Sequence, residues 1–222
     1  MSSSEVDPRG ADGALRRRVR LIVLLNAAEE SGIAPIPILR LHMLAYLANV
    51  LAPVWDMPAL DGKVLKRQGG PFYPSLQRDL DRLVGMGVAR ISNLTHLLDE
   101  SNRWRLEGSY CLNHSFSERI LQQIDTFADE RQLARFIQEL AFAVSTLSDI
   151  DFDNAMTEDA TYSDPLVDVG NVVDFAEWQQ KNFSANAAEV FEKYLPAGSR
   201  TTPGEKLHLY VRHLHSRIHG GR

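Results

Sequence analysis

His215 and His219 stand four residues apart, on one face of a helix that the apolar seam Leu207, Val211, Leu214, Ile218 predicts from about Pro203 to His219. Neutral imidazoles at that spacing are zinc-ligand chemistry. No Asp or Glu at ligand spacing in the sequence joins them, so no metal is expected. Asp149, Asp151 and Asp153 place carboxylates at i, i+2 and i+4, as a calcium loop begins. Asn154 then stands where such a loop needs its glycine, and Ala160 where it needs a bidentate Glu, so calcium is not expected either. Cys111 is alone, with no base beside it, and is expected to be buried packing on a strand. Glu29-Glu30 closes a helix as a solvated pair. Gly69-Gly70 is followed by Pro71 and Pro74, which lack the backbone donors of a phosphate cradle. There is no Gly-x-Ser-x-Gly elbow, no His-Glu-x-x-His and no P-loop. These residues predict a protein without catalytic residues or cofactors.

What remains is charge that could bind. Arg16, Arg17, Arg18 and Arg20 cluster near the start of the first predicted helix. Lys63, Lys66 and Arg67 alternate with Val64 and Leu65 in a short predicted strand. Arg78 and Arg82 lie on a helix over 74–86, and Arg103 and Arg105 alternate with Trp104 and Leu106. All are candidate contacts for DNA or a protein partner. On the acidic side, Lys and Arg are absent from Ala141 to Gln180, while nine acids fall between Asp149 and Glu177. That contrast makes 149–170 an expected acidic loop, and Asp149, Asp151, Asp153, Glu158 and Asp159 its candidate docking residues. The net charge of −5 argues against a protein whose main task is holding nucleic acid.

The elements that must position these groups follow from periodicity. Residues 1–13, rich in Ser, Asp and Gly, are expected to be a disordered tail. A helix over about Ala14 to Glu30 buries Leu15, Val19, Ile22 and Leu25, and Ser31-Gly32 ends it. Ile33 to Pro37 is extended, since residues before Pro avoid the helical region. Ile38 to about Leu51 is apolar nearly all round, which predicts a buried helix, with His42 and Tyr46 a satisfied core pair.

Between glycines and prolines, Leu76, Leu80, Leu83 and Val84 form one helical stripe, ended by Gly85 and Gly87. Strands are expected at 88–94, near 103–106 and at 110–112, with a turn over 99–102. Further helices are expected over about 115–128, capped by Ser115 or Ser117, then along the Leu133–Leu147 stripe, over 172–182, over 184–194 and over 203–219. The class is α+β, mostly α. Residues 14–113 form an expected winged-helix-like domain with a β-wing, and 114–222 a helical C-terminal domain. One cysteine, no secretory pattern and no run of about 18 apolar residues make the cytoplasm the expected location.

Gly70-Pro71-Phe72-Tyr73-Pro74, then Leu76, Asp79-Leu80, Leu83 and Gly87-Val88, resembles the signature of small bacterial winged-helix proteins, among them Panacea-type antitoxin domains. Tyr162-Ser163-Asp164-Pro165 and Gly170-Asn171-Val172-Val173-Asp174 resemble the middle components of bacterial ABC three-component systems, which include the Lamassu-type defence complexes. The first resemblance spans about residues 14–113 and the second lies in the C-terminal half. Neither brings catalytic residues. Together they imply an accessory subunit of an anti-phage complex, bound to an SMC- or Rad50-like coiled-coil ATPase and an effector nuclease, with DNA met through the complex. The alternative they leave open is a DNA-binding transcription regulator or antitoxin. For that role the outward side chains of 74–86 are expected to include Ser75, Gln77, Arg78, Asp79, Asp81 and Arg82, a mixed-charge face in which the two acids would be repelled by phosphates.

Overall fold

A computed structural model describes residues 8–57, 63–67, 69–98, 104–165, 169–170, 172–174, 182–194 and 200–220. The expected turn over 99–102, Arg103 and most of the expected helix over 172–182 lie outside them. The class is α+β, mostly helical.

Helix α1 (Pro8–Glu30) begins six residues before the expected start. Pro8 fits a first helical turn, where its missing N–H has no partner to lose. The arginine cluster therefore lies more than two turns inside the helix and not at its positive end. Strand β1 (Ile36–Pro37) leads into α2 (Ile38–Leu51), whose Leu41 to Leu51 are all buried. With the 3₁₀ turn Ala52–Trp55, this run is apolar and long enough to cross a membrane, but it is mostly buried inside the fold.

β2 (Lys63–Arg67) and β3 (Gly70–Phe72) form an antiparallel pair ahead of α3 (Pro74–Gly85). Gly70 is required there. Its φ is +137°, and a Cβ would stand 3.0 Å from Met43 Cε and 3.1 Å from Leu39 Cδ1. α3 ends in a Schellman arrangement: Gly87 takes φ +73°, its N–H donates to Val84 O, and Val88 N–H donates to Leu83 O.

β4 (Ala89–Leu98) pairs with β5 (Trp104–Leu112), and the two strands expected near 103–106 and 110–112 are this one continuous strand. β1 adds to its far side, giving the order β1-β5-β4. Nothing is described of the side chains of Trp104, Arg105 and Leu106.

The C-terminal half contributes α4 (His114–Ile124), α5 (Ala128–Val144), α6 (Asp149–Glu158), β6 (Val172–Asp174), α7 (Phe183–Val190) and α8 (Pro203–Ile218). Asn113 occupies the cap position of α4, in place of Ser115 or Ser117. Its amide donates to Gly87 O, which ties the helix to the end of α3.

The expected acidic loop is a helix over its first ten residues. Ser148 Oγ accepts the Asp151 N–H, and Asp149 and Asp151 sit in the first turn, where the helix dipole favours acids. The calcium-loop spacing is therefore wound into α6. Val172–Asp174 is a strand where a helix is expected; the β-branched pair Val172-Val173 lies along the edge of β2 in the order β3-β2-β6. α8 starts with a capping box, Thr202 and Glu205 exchanging bonds across the first turn.

α1 packs on α3 and α5, α5 on α8, and α8 on α6 and α7. Buried residues from both halves belong to one continuous apolar core, from Leu21 and Leu44 through Phe136 and Leu140 to Tyr210 and Leu214.

Candidate functional site

Helix α3 carries the charges a DNA-reading face would use. Leu76, Leu80 and Leu83 are buried as expected, but Asp79 is buried too, at 4% exposure. It lies within the apolar stripe and meets Arg17 Nε at 2.8 Å and Arg18 Nε at 3.9 Å. That corrects the outward placement of Asp79. It also turns part of the arginine cluster inward, so Arg17 and Arg18 act first as partners of α3. The exposed charges on α3 are Arg78, Asp81 and Arg82, and Gln77 Nε2 donates to Asp81 Oδ1 at 3.0 Å.

The basic strand is also engaged. Lys66 Nζ donates to Asp164 O at 3.2 Å and lies 5.3 Å from the Tyr162 ring centre. The Arg67 guanidinium lies 3.7 Å from the Phe72 ring centre. Tyr162 clamps the Arg67 backbone: its hydroxyl donates to Arg67 O at 2.7 Å and receives the Arg67 N–H at 3.2 Å. Burial raises that phenol to about 12. Lys63 and Arg16 are exposed, Arg20 is half-buried, and Arg105 is placed on β5 by register opposite Leu97.

None of the five candidate docking acids is an isolated surface charge. Arg40 bridges two of them, Nη1 to Asp149 Oδ1 at 2.5 Å and Nε and Nη2 to the two oxygens of Asp153 at 2.7 and 2.9 Å. Those bonds, led by Asp153, raise the guanidinium's pKa further. Glu158 pairs with Arg217 at 3.0 Å. Asp159 is fully buried and accepts five donors: Tyr46 Oη, Thr161 N and Tyr162 N on Oδ1, Ser184 Oγ and Tyr210 Oη on Oδ2. Burial and the neighbouring carboxylate push both phenols well above their usual range.

Asp151 is buried as well. Ser148 Oγ donates to its Oδ2 at 2.7 Å, and His219 Nε2 lies 2.8 Å from Oδ1 and His215 Nε2 3.7 Å from Oδ2. Ser148 first, then the imidazoles, hold this carboxyl below its ordinary range. Packing of α6 on α8 thus supplies the acid that the histidine pair lacks in sequence.

His42 and Tyr46 are both buried and satisfied, as expected of a core pair. His42 Nδ1 accepts the Tyr73 N–H at 3.3 Å, which leaves its Nε2 as the donor to Gln77 Oε1 at 3.3 Å. Burial lowers its pKa to about 4. Cys111 is partly exposed on β5, not fully buried.

One surface stands apart from these ion pairs. Phe116 on α4 and Phe127 just beyond its end are each 58% exposed, and Leu15 on α1, expected to be buried, is 56% exposed. An open groove between α1, α4 and α5 is lined by Val19, Ile120, Ile124 and Phe127. Leu15 continues the α1 stripe one turn from Val19, and Phe116 the α4 stripe one turn from Ile120. The chain matches no family model, no curated protein and no solved structure.

Proposed function

We propose that this chain is a non-catalytic accessory subunit that works by docking on a larger protein. The observation that carries this reading is the apolar surface where α1, α4 and the start of α5 meet. Large side chains at Leu15, Phe116 and Phe127 are exposed beside an apolar groove, and exposed aromatic clusters mark protein contact more often than solvent-facing accident.

The chain order α1, β1, α2, α3, β4, β5, with β1 on the outer side of β5 and β2 and β3 as an insertion, is compatible with a winged helix and supports the adaptor reading of the N-terminal half. The resemblance to ABC three-component middle components names the partners: an SMC- or Rad50-like coiled-coil ATPase and an effector nuclease, in a cytoplasmic anti-phage complex. The acids of α6 are tied to Arg40, Arg217 and the core, which favours the apolar face over the acidic one as the docking surface.

Affinity capture of the tagged chain from its native host, with mass spectrometry, tests the reading. A large coiled-coil ATPase retained in stoichiometric amount at moderate salt, and lost with Phe116→Glu and Phe127→Glu, is the expected result. No protein partner, with DNA that leaves at high salt, overturns it.

The second reading, a DNA-binding regulator or antitoxin, gains from one observation. With Asp79 turned inward, the outer charges of α3 are Arg78 and Arg82 against Asp81 alone. A salt-sensitive duplex shift that weakens with Arg78→Ala and Arg82→Ala would favour it.

A further inference from the structure

We propose that Asp151, His215 and His219 form a zinc site, completed by water, that fastens α6 to the end of α8. This stands independently of the docking reading. The donor set is two imidazoles and one carboxylate, the set that leaves a four-coordinate zinc one open position. The ligand atoms come from α6, α8 and the residue that closes α8, and all lie within 4.8 Å of one another.

A tetrahedral ion with metal–ligand bonds of about 2.0–2.1 Å holds its ligand atoms roughly 3.3–3.4 Å apart. Here His219 Nε2 to Asp151 Oδ1 is 2.8 Å and His215 Nε2 to Asp151 Oδ2 is 3.7 Å. The two distances run to different oxygens of one carboxylate, so an ion on Oδ1 would draw the His215 ring round toward it. Both histidine side chains are about half exposed, whereas Asp151 is fixed. Its fixing has a second partner of the kind metal sites use: Ser148 Oγ donates to Oδ2 and sets the plane of the carboxylate. The imidazole rings lie 4.5 Å apart between centres, with both Nε2 atoms toward the acid. That leaves each Nδ1 as the protonated nitrogen of a neutral ligand. Arg217, two residues before His219, is held by Glu158 at 3.0 Å.

A simple ion pair between Asp151 and His219 needs only one histidine. The second brings a third donor atom within 4.8 Å of the other two, as a shared ion needs.

The test uses the full-length chain without a polyhistidine tag, stripped with chelator. Zinc is added with calorimetry and thermal unfolding as readouts, and cobalt in its place reads coordination through its visible absorption. Expected are one saturable zinc per chain, a higher unfolding temperature, and a tetrahedral cobalt spectrum. His215→Ala and His219→Ala, both at exposed side chains, weaken zinc binding by more than the roughly 10–100-fold that losing an outer partner costs. His208→Ala, two turns earlier on the same face and beside Glu139, leaves it unchanged. Asp151→Asn is secondary, since that side chain also supports the start of α6. Absence of saturable binding overturns the site, as does binding that survives both histidine substitutions.

Discussion

Tyr210 Oη donates to Asp159 Oδ2 at 2.6 Å, and the carboxylate it reaches is fully buried. The same acid takes Tyr46 of α2 and Ser184 of α7, so one charge joins three helices to the end of α6. A buried carboxylate is tolerated only when its lone pairs are met, and here five donors meet them. Asp159→Ala should therefore cost about 3–5 kcal/mol, since it strands those donors in the core. Tyr46→Phe and Tyr210→Phe should each cost about 1.5–3 kcal/mol. Urea unfolding of the three variants checks the order.

His42 makes stability pH-dependent. Its folded pKa is about 4 against an ordinary 6.5, so the unfolded chain takes a proton first as pH falls. Its contribution is complete above about pH 6.5 and is lost progressively down to about pH 4, by about 3 kcal/mol in all. His42→Gln should flatten that part of the curve. Unfolding free energies at pH 7, 5.5 and 4, compared with the unsubstituted chain, measure the difference.

Asp79 and Arg17 should couple. Asp79→Ala exposes no new surface charge on α3 but leaves two arginines of α1 without their buried acid, and a loss of about 2–4 kcal/mol is expected. A double-mutant cycle with Arg17→Ala should recover part of it, because the pair is removed together. Additive losses would mean that the two side chains act separately.

Gly70 and Gly87 both hold positive φ, but they differ in surroundings. Gly87→Ala should cost about 1–2 kcal/mol, the penalty of a left-handed alanine. Gly70→Ala should cost more, since its Cβ also presses on Met43 and Leu39. Thermal unfolding of both variants decides between conformational and packing costs.

Much of this architecture was visible in the sequence. The all-round apolar run 38–51 folds as a buried helix and the stripe from Leu133 to Val144 as the buried side of α5, as their periods predict; 63–67 is a strand, but its burial does not alternate and α5 stops before Leu147. Two local patterns carry more of the structure than their charge suggests. Ser148-x-x-Asp151 is a helix-start pattern, and it outweighs the apparent solvation of an acid-rich stretch. Asp79 sits three residues after Leu76 and four before Leu83, inside the stripe, where only a buried basic partner could keep it. The meeting of Asp151 with His215 and His219 had no local signal, because it depends on how α6 lies across α8. The exposure of Phe116 and Phe127 had no signal either: an apolar stripe announces that something covers it, not whether the cover belongs to the same chain.

The strand order β3-β2-β6 also governs the sequence of events during synthesis. Lys63 pairs with Asp174, 111 residues later. A ribosome that has released β2 and β3 must make four more helices before the strand that closes their edge emerges. Until then β2 presents open backbone groups, an invitation to pairing with another chain. The C-terminal half thus acts toward the N-terminal half as a late-arriving escort. A fragment ending near residue 113 would be expected to fail through self-association before it failed through loss of helices.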